Sequence, residues 1–168
     1  MQTLVIYDSK FGNTEKVAEA IARGIRPYSE VRVTSTTDVT RTLQTLASRP
    51  DLILVGGPTQ NHRPSAGLRA FVDSLPPALR GIPAACFDTR YGGPVWLMGS
   101  AAEGAAKALA ETGATIVASP ESFFIVRHGP MPQQTLEPGE IERAEAWGRA
   151  IAISVVGGAA ATVARKGK

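Results

Sequence analysis

Apolar and polar positions along this chain repeat one pattern five times: an apolar run short enough for a strand, then apolar residues at helical spacing. The first run is TLVIYD, residues 3–8. Val17, Ile21 and Ile25 follow it at spacings of four, behind Asn13 or Thr14, either a good N-cap. The second run is the shorter VRVTS, with a helix through Leu43 and Leu46 that Pro50 stops. DLILVGG, residues 51–57, is almost wholly apolar, as a strand buried on both faces must be. GPTQNHRPS then turns the chain, and Ser65 caps a helix marked by Leu68, Phe71, Val72 and Leu75. IPAACFDTR reads as a fourth strand, YGGP as a loop and GSAAEGAAKALAET as a helix closed by Gly113. A fifth strand lies within TIVASPESFFIV, and after a proline-rich connection GEIERAEAWGRAIA forms the closing helix.

Strands alternating with helices predict an α/β protein: a single doubly wound five-stranded parallel sheet, order 2-1-3-4-5, in a three-layer sandwich. At 168 residues one core suffices, which sets a single domain over residues 1–156 and a flexible basic tail over 157–168. With 43% hydrophobic and 20% charged residues the chain is too apolar to be disordered. Its net charge of +3 comes with no basic helix interleaved with aromatics, so nucleic acid is not an expected partner. The stretch Ala150 to Ala164 is uncharged, yet it falls short of the roughly 20 residues a membrane-spanning helix needs. A single cysteine, Cys86, excludes an internal disulfide, and its place in IPAACF predicts a buried structural thiol. No signal-peptide pattern precedes the first strand, so the expected location is cytoplasmic.

In such a sheet, ligands bind beyond the carboxyl ends of the strands where the order reverses, here between strands one and three. The loop leaving strand one is SKFGNT, residues 9–14. A helix N-terminus there offers unpaired N–H groups and about half a positive charge, which together suit a phosphate. Ser9 and Thr14 add hydroxyls, Gly12 permits a positive φ, and Asn13 can cap or reach inward. No G-x-G-x-x-G follows the first strand and no glycine-rich loop ends in Gly-Lys-Ser/Thr, which removes the dinucleotide and P-loop readings. Strand three ends in Gly56 and Gly57 rather than aspartate, which removes a receiver domain. His62 and His128 lack metal-ligand neighbours.

The segment LVIYDSKFGNTEKVAEAI resembles the signature of the flavodoxin-like family, and GGPTQN and FDTRYGG fall where that family places its two flavin-contacting loops. The resemblance implies one noncovalent FMN. Its phosphate would lie on Ser9, Lys10, Gly12, Asn13 and Thr14, with Phe11 of the same turn also on the cofactor, Pro58, Thr59, Gln60 and Asn61 along one flavin edge and Asp88, Thr89, Arg90, Tyr91 and Gly92 along the other. It implies a redox protein working with a partner protein or with a small quinone or NAD(P)H. The alternatives are an NAD(P)H-dependent quinone or FMN reductase, with a homodimer built on PVWLM, and a non-redox interaction module on the same fold.

Two departures from the electron-carrier pattern stand out. Gln60 occupies the place of a stacking aromatic in strand three's loop, leaving Tyr91 and Trp96 as the stacking candidates. The cations His62, Arg63, Arg69 and Arg90 replace an acidic flavin edge; near reduced flavin they would raise its potential, and the alternative is pairing with Asp73 or Asp88.

Overall fold

The computed structural model describes residues 1–38, 42, 44, 46–75, 79–129 and 133–166, with side chains described as far as residue 158. Five strands form the centre: β1 (Gln2–Tyr7), β2 (Glu30–Ser35), β3 (Leu52–Gln60), β5 (Pro83–Tyr91) and β7 (Glu121–His128). They lie in the order β2-β1-β3-β5-β7, all pairs parallel, which is the predicted doubly wound sheet. Helices α1 (Asn13–Ile25) and α5 (Glu140–Lys166) cover one face, and α2 (Ala66–Asp73) and α4 (Ala101–Glu111) cover the other. A short helix α3 (Val95–Met98) precedes α4.

Because strand side chains alternate in direction, neighbouring residues feed different cores. Leu4, Ile6, Ile53, Val55 and Cys86 pack under α2 and α4, whereas Val5, Leu52, Leu54, Ala85 and Phe87 pack under α1 and α5. Every one of them is buried, so the strands read as continuous apolar runs. Trp147 on α5 meets Phe87 and Phe123 edge-on, with ring centroids 6.4 and 6.1 Å away, a geometry worth about 0.5–1.5 kcal/mol per pair beyond area burial.

The fifth strand arrives in two pieces. β6 (Thr115–Ile116) pairs with Pro83 and Ala84, and β7 resumes the pairing at Glu121 opposite Phe87. Residues 117–120 therefore stand opposite only Ala85 and Cys86, and Pro120, which has no N–H to give the ladder, sits in the bulge.

Two further strands are absent from the sequence reading. β4 (Arg63–Pro64) folds back on β3, and β8 (Gln133–Leu136) adds an antiparallel edge to β7 inside the stretch expected to be a bare connection. Both are short and polar, too small to show an apolar period. Leu43 of the expected second helix lies outside the described residues, while Leu46 is buried in the α2–α4 core. The closing helix is described through Lys166. No helix among the described residues is long and apolar enough to cross a membrane.

Candidate functional site

A cavity of about 450 Å³ opens beyond the carboxyl ends of β1, β3 and β5, where the strand order reverses. Its size is in the range of small-molecule and cofactor sites. The turn after β1 contributes Ser9, Lys10, Phe11, Asn13 and Thr14; β3 and its hairpin contribute Pro58, Thr59, Gln60, Asn61 and His62; and β5 contributes Thr89, Arg90 and Tyr91.

The β1 turn is built to leave donors open. Gly12 holds φ 80° at the N-cap of α1, a left-handed conformation that costs a glycine nothing, and it brings no side-chain acceptor. Ser9 Oγ accepts from Gly12 N at 3.1 Å and Glu15 N at 3.4 Å, and its own proton stays free to donate. Among the described residues nothing accepts from the N–H groups of Asn13 and Thr14, two of the donors that a helix start leaves without partners. The two side chains are spoken for. Thr14 Oγ1 lies 2.8 Å from Thr89 Oγ1, tying the turn to β5, and Asn13 Nδ2 donates to Gln134 O at 3.0 Å, tying it to β8.

At the end of β3 the chain reverses through Asn61 (φ 48°) and His62 (φ 65°), with Gln60 opposite Arg63. Two central residues at positive φ make this the mirror-image hairpin turn whose twist matches the strands. Asparagine tolerates that conformation better than most residues, which is why Asn61 can hold the first central position of such a turn without being glycine.

Asp88, expected on the flavin edge, is fully buried behind the wall instead. Its Oδ2 accepts from Thr59 Oγ1 at 3.0 Å, Ser100 Oγ at 2.7 Å and Ala102 N at 3.1 Å, so a negative charge sits at the start of α4 and pins it to β3. Its Oδ1 has no hydrogen-bond partner and lies 4.0 Å from Arg90 Nε. Arg90 reaches the cavity wall but is spent mainly on architecture: Nε donates to Ser122 Oγ, and one terminal nitrogen donates to the carbonyls of Tyr91 and Gly93. The guanidinium also lies 5.1 Å over the Phe124 ring. These bonds fix the loop that carries Tyr91, whose hydroxyl donates to Gln134 Oε1 at 3.2 Å. Gly12 and Gly92, the other two expected positions, do not line the cavity.

The remaining wall consists of residues outside the predicted loops: Met98, Ile125, Arg127 and Gln134. Gln134 is the clearest omission, since it bonds both the β1 turn and the β5 loop. Nothing local marks it, because β8 reaches the site only by pairing with β7. The charges expected near the cavity sort themselves differently. His62 lines it, Arg63 is exposed on the hairpin, and Arg69 lies with Asp73 beside a separate hollow between α2 and α4. Trp96, offered as a stacking candidate, is 84% exposed and off the wall. No carboxylate lines the cavity among the described residues, whereas Lys10, Arg90 and Arg127 do.

A sequence model of the family described as Flavodoxin matches residues 5–147. No curated protein matches the chain. Among solved structures, a flavodoxin from the domain Archaea is 24% identical at a TM-score of 0.70, over 92% of this chain and 99% of that one. Oxidised Flavodoxin 1 from Bacillus cereus is 25% identical at a TM-score of 0.69, over 91% of this chain and 97% of that one. A flavodoxin, WrbA-like protein from Agrobacterium tumefaciens is 20% identical at a TM-score of 0.69, over 92% and 96%.

Proposed function

Since the chain belongs to the flavodoxin family, whose members are flavin-binding redox proteins, we propose that it holds one noncovalent FMN in the cavity and passes electrons between other proteins. The observation that carries this reading is the opening turn of α1. Two N–H groups without acceptors, the positive end of the helix dipole and the lack of carboxylates among the described wall residues together favour a monophosphate dianion.

In this reading Ser9, Lys10, Asn13 and Thr14 hold the phosphate on a turn that Gly12 shapes, Pro58 to Asn61 border one side of the ring, and Thr89, Arg90 and Tyr91 border the other. Bound flavin supplies reversible electron transfer in one- or two-electron steps. The chain's part is to orient it and set its potential. Lys10 and Arg127 on the wall favour the anionic reduced form, so the couple is less reducing than it would be beside carboxylates. Replacing Arg127 by Glu should lower the measured potential; an unchanged or higher value removes this part of the reading.

The test is an absorption spectrum of the purified protein with added FMN or riboflavin, followed by anaerobic reduction. Binding of FMN at least ~100-fold tighter than riboflavin, about 2.7 kcal/mol, is expected from the phosphate contacts. Equal affinity for the two, or a colourless protein that ignores both, sinks the proposal. Rapid bleaching of the flavin by NAD(P)H alone would turn the assignment to a reductase.

A further inference from the structure

Helix α3 is conspicuous for what it fails to bury. None of its four residues is buried, and Trp96 and Leu97 are 84% and 52% exposed. Large apolar side chains grouped in water mark interaction surfaces, and tryptophan is enriched among residues that carry binding energy. α3 is anchored rather than loose. A Cβ on Gly99 would lie 2.3 Å from His62 O, so the residue after α3 packs directly on the β3–β4 hairpin, and Met98 and His62 line the same cavity. Trp96 and Leu97 thus lie two residues and one residue before Met98 of the cavity wall, joined through Gly99 to the hairpin that exposes Arg63, and half-exposed Phe11 lines the same cavity.

Charge selects the occupant. A twofold homodimer would press each patch on its own copy, setting Arg63 and Arg127 against the same cations with no carboxylate among the described lining residues to offset them. A bound phosphate, carrying about −1.5 to −2, would sit against Lys10 and the start of α1 and leave the exposed Arg63 and Arg127 uncompensated. We propose that the mouth of this cavity is the docking face for an acidic redox protein, with Trp96 and Leu97 as its apolar centre and Arg63 and Arg127 as its cationic surround. The inference rests on the flavin reading only for what passes between the two proteins, since docking itself needs no cofactor.

The experiment measures binding of the full-length protein, with and without FMN, to an acidic plant-type [2Fe–2S] ferredoxin and to basic cytochrome c by interferometry. Expected is micromolar affinity for the ferredoxin that falls about tenfold between roughly 20 and 200 mM salt, with cytochrome c at least ~10-fold weaker. Trp96→Ala combined with Leu97→Ala should weaken ferredoxin binding at least ~10-fold at unchanged melting temperature and flavin spectrum, because neither side chain is part of the core or the cavity wall. Arg63→Gln combined with Arg127→Gln should remove most of the salt dependence.

The proposal is overturned by ferredoxin binding that ignores salt or these replacements, or by none up to about 1 mM. It is equally overturned by a dimer in sedimentation that Trp96→Ala dissociates. A colourless protein that still docks ends the flavin reading and leaves this one standing; a yellow protein that does not dock has the opposite effect.

Discussion

Two side chains carry more of the site than their sequence neighbourhoods suggest. Asp88 gathers Thr59, Ser100 and the N-terminus of α4 on one buried oxygen, with Arg90 beside the other. Asp88→Ala would leave those donors and a buried guanidinium without their anion, so a loss of about 3–5 kcal/mol in urea denaturation is expected; a loss under about 1 kcal/mol would mean the wall does not depend on it. His62 presents the reverse case. At φ 65° it occupies the turn position that glycine prefers, and the left-handed conformation costs an ordinary residue about 1–2 kcal/mol. His62→Gly recovers that strain and gives back part of it in unfolded-chain entropy, for a net gain of about 0.5–1 kcal/mol measurable as a higher urea midpoint.

At the scale of elements, α1 and α5 meet through two glycines. A Cβ on Gly24 would fall 2.0 Å from Glu145 O, and one on Gly148 would fall 2.4 Å from Ile21 O. Backbone carbonyls cannot swing aside as a side chain can, so the helices would have to separate. Gly148→Ala gains about 1 kcal/mol of helix propensity, yet the forced separation outweighs it, and a net loss of about 2 kcal/mol is expected. Gly157→Ala on the same helix meets nothing within 4 Å and should instead be neutral or stabilising. Opposite signs in a pair of thermal melts would establish the close crossing; equal signs would dismiss it.

The whole molecule adds a dependence on pH. Cys86 lies on β5 inside the α2–α4 core, and burial pushes its thiol up to about 12 from an ordinary 9.0. The folded state therefore keeps the thiol neutral where the unfolded chain would ionise it. The stability this represents is complete below about pH 9 and is lost as pH rises towards 12. Urea midpoints should fall across that window, Cys86→Ala should remove part of the slope, and a thiol reagent at neutral pH should react only once the chain unfolds.

The alternation of strand and helix, the strand order and the place of the cavity were legible in the sequence because they follow from apolar periods and from topology. Hydrophobic spacing is local, and a doubly wound sheet admits a single reversal point next to β1. The β1 turn was legible for the same reason, since its small and hydroxyl residues act through their own backbone. Tertiary structure alone decided the rest. It put Asp88 behind the wall, because strand direction sends each side chain to one face and only the packed neighbours determine what that face meets. It brought Arg127 and Gln134 to the cavity through the pairing of β7 with β8, a contact whose four-residue strand is too short and polar to announce itself. It left Trp96 in water, because a lone turn of helix is apolar in sequence whether or not anything folds over it.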